Sequence, residues 1–73
     1  MKFKYYPETD SLYIDLSSNP GIDSKEVAEG VVIDLDREGN IVGIDIDQAS
    51  KKVDLEDLSF SKIPFLKKDI SIT

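Results

Sequence analysis

Between residues 2 and 47 apolar and polar residues take turns, and that period of two constrains the chain more than any other feature. Alternation puts every second side chain on one side of an extended backbone, so it specifies half-buried strands rather than helices. Phe3 and Tyr5 share a side between Lys2 and Lys4, and Leu12, Ile14 and Leu16 share one opposite Tyr13 and Asp15. Pro7-Glu8-Thr9-Asp10-Ser11 between them is a cluster of turn formers, which predicts a hairpin with arms at 2–6 and 12–18. Ser17-Ser18-Asn19-Pro20-Gly21 breaks the pattern, because Pro20 cannot donate to a ladder. A longer third strand is expected from Lys25 to Leu35, with Val27, Val31, Ile33 and Leu35 on one face and Gly30 marking a bulge or a close backbone approach. Asp36-Arg37-Glu38-Gly39-Asn40 has the chemistry of a type I turn closed by a glycine at positive φ. A fourth strand then spans Ile41 to Asp47, with Val42, Ile44 and Ile46 pointing one way and Gly43, Asp45 and Asp47 the other.

Past Ser50 the alternation fades. Asp54 can cap a helical turn over 54–58, and Leu58 to Ile63 alternates partly, as do Ile70 and Ile72. The fold class expected is α+β, mostly β: a small antiparallel β-meander of about four strands with a short C-terminal helix and an extended tail. The chain reads as one domain over 1–73, with a sheet core at 2–47 and the helix and tail at 51–73. Phe3, Tyr5, Leu12, Ile14, Leu16, Val31, Ile33, Leu35, Val42, Ile44 and Ile46 should form its apolar face. One sheet cannot bury a face against nothing. Leu55, Leu58, Phe60, Ile63 and Phe65 are expected to cover part of it and a second subunit the remainder.

Composition narrows the function. With no Cys and no His there is no thiol nucleophile, imidazole base, disulfide framework or zinc site of ordinary composition. Nine basic residues against fifteen acidic ones leave a net charge of −6, unsuited to nucleic acid or an anionic membrane. No apolar run reaches the ~20 residues of a membrane span, and the N-terminus lacks the apolar stretch of a signal peptide, so the cytoplasm is expected. Chains below ~70–80 residues rarely draw more than ~3–5 kcal/mol from one core. Without disulfides or metals to compensate, homo-oligomerisation is expected.

Three constellations could carry chemistry. Asp34, Asp36, Glu38 and Asp45, with Gly39 between them, follow the outline of a calcium-binding loop. The flanks alternate as strands where that loop needs helices, and Asp45 stands where a bidentate Glu is wanted, so a plain turn accounts for the same residues. Asp15, Asp45 and Asp47 group carboxylates on the wet face, but acid–base or two-metal chemistry also needs an enclosed pocket. Tyr5, Tyr6 and Tyr13 are better suited to core packing or a subunit interface than to stacking bases, with only Lys2 and Lys4 interleaved. No cofactor motif and no catalytic set is present, so a non-enzymatic protein is expected. The acidic middle, −7 over residues 23–57, suits a basic protein partner.

The segments Tyr6-Pro7-Glu8-Thr9-Asp10-Ser11-Leu12-Tyr13-Ile14-Asp15-Leu16, Glu29 to Asp36, Glu38 to Ile46 and Ala49-Ser50 resemble, in that order, a family of small prokaryotic proteins catalogued as domain of unknown function 2283. The likeness spans residues 2–50. It implies no catalytic residues. Some relatives sit in gene pairs resembling toxin–antitoxin modules, which implies an antitoxin-like partner of a small basic toxin as one role. A self-associating protein-interaction module is the main reading, and weak binding of a divalent cation or small ligand by the acidic hairpin is the other alternative.

Overall fold

A computed structural model describes residues 1–64. Five strands build one antiparallel sheet: β1 (Lys2–Tyr6), β2 (Ser11–Asp15), β3 (Asp23–Ala28), β4 (Val31–Leu35) and β5 (Ile41–Ile46). Their spatial order is β1-β2-β5-β4-β3, so the last strand lies between the two hairpins. The expected architecture, mostly β with one short helix, is what the chain adopts. Its connectivity is richer than a meander, because the segment after β2 crosses the sheet end to start β3 at the far edge. That crossing is fastened by Leu16 N–H to Val42 O at 2.9 Å and Ile22 N–H to Leu35 O at 2.8 Å.

The fifth strand comes from the run expected as one strand over Lys25–Leu35. Gly30 takes φ +73°, a left-handed conformation open to glycine, and the chain reverses there into a tight β3–β4 hairpin. Its N–H donates to Glu26 Oε2 at 3.2 Å. The irregularity in β3 lies instead at Val27, where the register shifts between Glu26 and Ala28. The β4–β5 turn forms as expected. Gly39, at φ +86°, donates to Asp36 O at 3.0 Å, and Asp36 N–H reaches Asn40 O at 2.9 Å.

The helical turn sits earlier than expected. Helix α1 is Ala49–Lys52, and residues 54–58 hold only a turn in which Asp54 Oδ1 accepts from Glu56 N–H. Asp54 thus makes the local bond of a cap, but no helix follows it. Ala49 is fully buried at the foot of the sheet. Lys52 Nζ donates to Glu29 O at 2.9 Å and Asp47 N–H to Gly30 O at 2.8 Å, which fixes α1 beside the β3–β4 turn.

One member of the expected apolar face is misplaced. A bulge where the register shifts between Asp34 and Leu35 reverses the parity of β5. Val42 Cγ2 and Asp34 Cβ converge on Gly21, 3.5 and 3.3 Å from where its Cβ would stand. Val42 therefore turns to the side of Asp34 and away from Ile44 and Ile46. It is the only buried apolar strand residue among those described, 4% exposed. The residues expected to cover the face are themselves only partly buried among the described residues. Leu55, Leu58, Phe60 and Ile63 all remain exposed, while Phe65, Ile70 and Ile72 lie outside that set.

Candidate functional site

Register defines the two faces. One row crosses the whole sheet as Phe3, Ile14, Ile44, Ile33 and Lys25, and a second runs Tyr5, Leu12, Ile46, Val31 and Ala28. Nine of these ten residues are apolar or aromatic, and Lys25 at the β3 edge is the single charge. Among the described elements each strand makes its extensive contacts with its sheet neighbours, and Phe3 and Tyr5 are both over two-fifths exposed. A surface of this composition gains free energy when covered, about 25 cal/mol per Å² of apolar area.

The opposite face is polar and organised around one phenol. Tyr13 pairs with Asp45 across β5 but leans along the sheet to lie over Gly43, and its hydroxyl donates to Asp34 Oδ2 at 3.1 Å. Asp15 and Asp45 flank the same ring. Burial pushes the Tyr13 phenol above its ordinary pKa of 10.0, helped by the bond to Asp34 and the charges of Asp34, Asp15 and Asp45. Tyr6, Thr9, Ser11, Tyr13 and Asp45 line a shallow, open depression here, too open to exclude water.

The residues that follow the outline of a calcium-binding loop, Asp34, Asp36, Glu38 and Asp45, serve other duties. Asp36, 6% exposed, accepts from the N–H groups of Glu38 and Asn40 through Oδ1, each at 2.9 Å, and from the Asn19 side chain through Oδ2 at 3.3 Å. The Asn40 N–H bond holds its carboxyl below the ordinary 3.8, with the Asn19, Asn40 side-chain and Glu38 bonds adding to it. Asp34 is engaged by Tyr13, Glu38 lies exposed in the turn, and Asp45 stands on β5 opposite Val32. Among the described residues no three or more acidic side chains are grouped to hold a metal ion. Asp47, the third of the expected carboxylate group, leaves Asp15 and Asp45 and accepts from Gln48 N–H at 3.1 Å.

A cluster that the sequence did not announce joins the β1–β2 turn to α1. Asp10, at φ +53°, accepts the Tyr5 hydroxyl at 2.8 Å, Ser50 N–H at 3.0 Å and Ser50 Oγ–H at 2.6 Å. Its carbonyl takes Ala49 N–H at 2.8 Å. Gln48, the residue before α1, offers no side-chain cap, so the β1–β2 turn caps the helix from forty positions away. The Ser50 hydroxyl, then Tyr5, lowers the Asp10 carboxyl below its ordinary value, and the same bond raises the Tyr5 phenol. No helix among the described residues is long and apolar enough to cross a membrane.

No curated protein and no solved structure matches the chain. A family model described as a protein of unknown function (DUF2283) matches residues 2–50, the whole five-stranded sheet together with Ala49 and Ser50, and the chain belongs to that family.

Proposed function

We propose that this protein is a non-enzymatic interaction module that self-associates by burying its apolar sheet face against another copy. The observation that carries the reading is the face itself: Phe3, Tyr5, Leu12, Ile14, Val31, Ile33, Ile44 and Ile46 on one side of a sheet that no other element packs across extensively among the described residues. Covering apolar surface is the strongest general drive to association, and continuous apolar patches on soluble proteins mark contact surfaces. Sedimentation velocity tests the proposal. The wild-type chain sediments above its 8.2 kDa protomer mass at micromolar concentration, and Ile44→Asp, which places an unpaired charge in the middle of the face, removes the assembly. A wild-type protein that stays at protomer mass into the millimolar range refutes it.

A second reading draws on the other face, where Asp15, Asp34 and Asp45 surround Tyr13. An acidic surface of that kind suits a basic protein partner, the antitoxin-like role. Such a complex weakens steeply with added salt, whereas the apolar assembly does not.

A further inference from the structure

We infer that the two copies meet face to face with the two-fold axis running along the strands, so that β1 of one protomer covers β3 of the other. This inference rests on the self-association proposed above and specifies its geometry. Two alternatives compete with it: pairing edge to edge, which would extend the sheet, and a face-to-face pair related by an axis across the strands.

The edges argue against the first. A partner strand needs a regular row of free N–H and C=O groups, and natural sheets deny it with bulges, inward-pointing charges and edge lysines. All three devices are present. β3 carries a register shift at Val27 and turns Lys25 inward onto the apolar face, and β1 carries Lys2 and Lys4.

The row Phe3–Ile14–Ile44–Ile33–Lys25 decides between the two face-to-face arrangements. An axis along the strands reverses the strand order of the second sheet, so β5 meets its own copy at the centre and the ends of the row exchange. Lys25 then lies over Phe3 of the other protomer, twice by symmetry, where an ammonium is attracted to the face of a ring. An axis across the strands keeps the order: run through this row it brings Lys25 against Lys25, and run between the two rows it sets Lys25 over Ala28, so neither placement offers the ammonium a ring. Area is sufficient. Five strands ~4.8 Å apart, ~5 residues long at ~3.3 Å each, give a footprint of roughly 400 Å² per protomer. With side-chain relief counted, two such faces remove roughly 1,200 Å² from water, the lower bound for a specific interface.

The chain has no cysteine, so introduced ones report cleanly. Ile44→Cys, at the centre of the row, forms an intermolecular disulfide under mild oxidation, while Lys4→Cys on the polar side of β1 does not exceed the collisional rate. The paired variant Phe3→Cys/Lys25→Cys also cross-links, and each single variant does so poorly. Lys25→Glu, exposed and tolerable to the fold, weakens the wild-type dimer about tenfold by placing a carboxylate over an aromatic ring. A dimer that cross-links at Lys4→Cys and not at Ile44→Cys overturns the face-to-face geometry and leaves self-association standing. A dimer whose affinity Lys25→Glu leaves unchanged, or one that cross-links readily through Lys25→Cys alone, overturns the axis assignment. A protein that never leaves protomer mass overturns both the geometry and the reading beneath it.

Discussion

Gly43→Ala should destabilise the protein, although alanine is the better strand residue. The backbone at Gly43 is not in the left-handed region, so no conformational strain opposes the change. On propensity alone, replacing a strand glycine gains ~0.5–1 kcal/mol. The space above it is occupied. An added Cβ would stand 2.8 Å from Tyr13 Cζ and 3.2 Å from Asp34 Oδ2, and in closer collision with the Tyr13 hydroxyl. The ring must swing away. Overpacking costs ~1–3 kcal/mol, and the bond from the hydroxyl to the Asp34 carboxylate, partly exposed, loses about 1 more. The net is a loss of about 1–3 kcal/mol, or a fall in Tm of roughly 5–25 °C for a chain of this length.

The diagnostic is a change of sign. With Tyr13→Ala in the background the obstruction is gone, and Gly43→Ala should then stabilise by about 0.5 kcal/mol. Urea unfolding of the four proteins in the cycle, followed by circular dichroism at one protomer concentration, gives a coupling of about 2 kcal/mol. A Gly43→Ala substitution that stabilises the wild-type background would show that Tyr13 does not rest on this glycine. The arrangement of the polar face would then be wrong.

The turn carboxylate makes stability depend on acid. Asp36 titrates below its ordinary 3.8 in the folded chain, so its contribution is complete above that pH and fades as pH falls through the lowered value. Asp36→Asn keeps an acceptor for the Glu38 and Asn40 N–H groups and should flatten the fall of Tm below about pH 4; an unchanged acid limb would assign that dependence to other carboxylates. Asp10→Ala removes the acceptor shared by Tyr5 and Ser50. Amide exchange should quicken at Ser50 and through α1 while the β4–β5 amides stay protected, and unaltered exchange at Ser50 would show that α1 does not depend on the distant cap.

Local chemistry was legible in the sequence where a single residue decides the outcome. Asp36 and Gly39 announce their turn, and the alternation through Leu12, Ile14, Ile44 and Ile46 places those side chains on one face. Gly30 was legible only as an exception, since a bulge and a reversal both call for glycine; the Glu26 bond to its N–H favours the reversal. Val42 was not legible, because a one-residue bulge inverts parity and leaves no mark in a run of alternating residues. The pairing of β5 with β2 and the bond of Asp10 to Ser50 join segments far apart in the chain, and nothing local encodes either. Helix α1 was missed for the same reason: Gln48 is a poor cap, and the carboxylate that serves it belongs to another hairpin.

The acidic character of the chain has a structural use that bears on function. Asp10, Asp23, Asp36, Asp47 and Asp54 each accept a backbone N–H at a turn or an element end, and Glu26 does so at Gly30. A chain with this many reversals leaves many N–H groups without a ladder partner, and a nearby carboxylate satisfies them without adding bulk. Carboxylates so employed have fewer free oxygens for a cation or a proton-transfer role, and Asp34 is turned to Tyr13 besides. Among the described residues no helix or second sheet employs the apolar face, with Lys25 at one end of its first row and Phe3 at the other. A sheet that satisfies its turns and guards both edges, yet among its described residues leaves this face without a helix or second sheet against it, is the physical basis on which self-association is proposed.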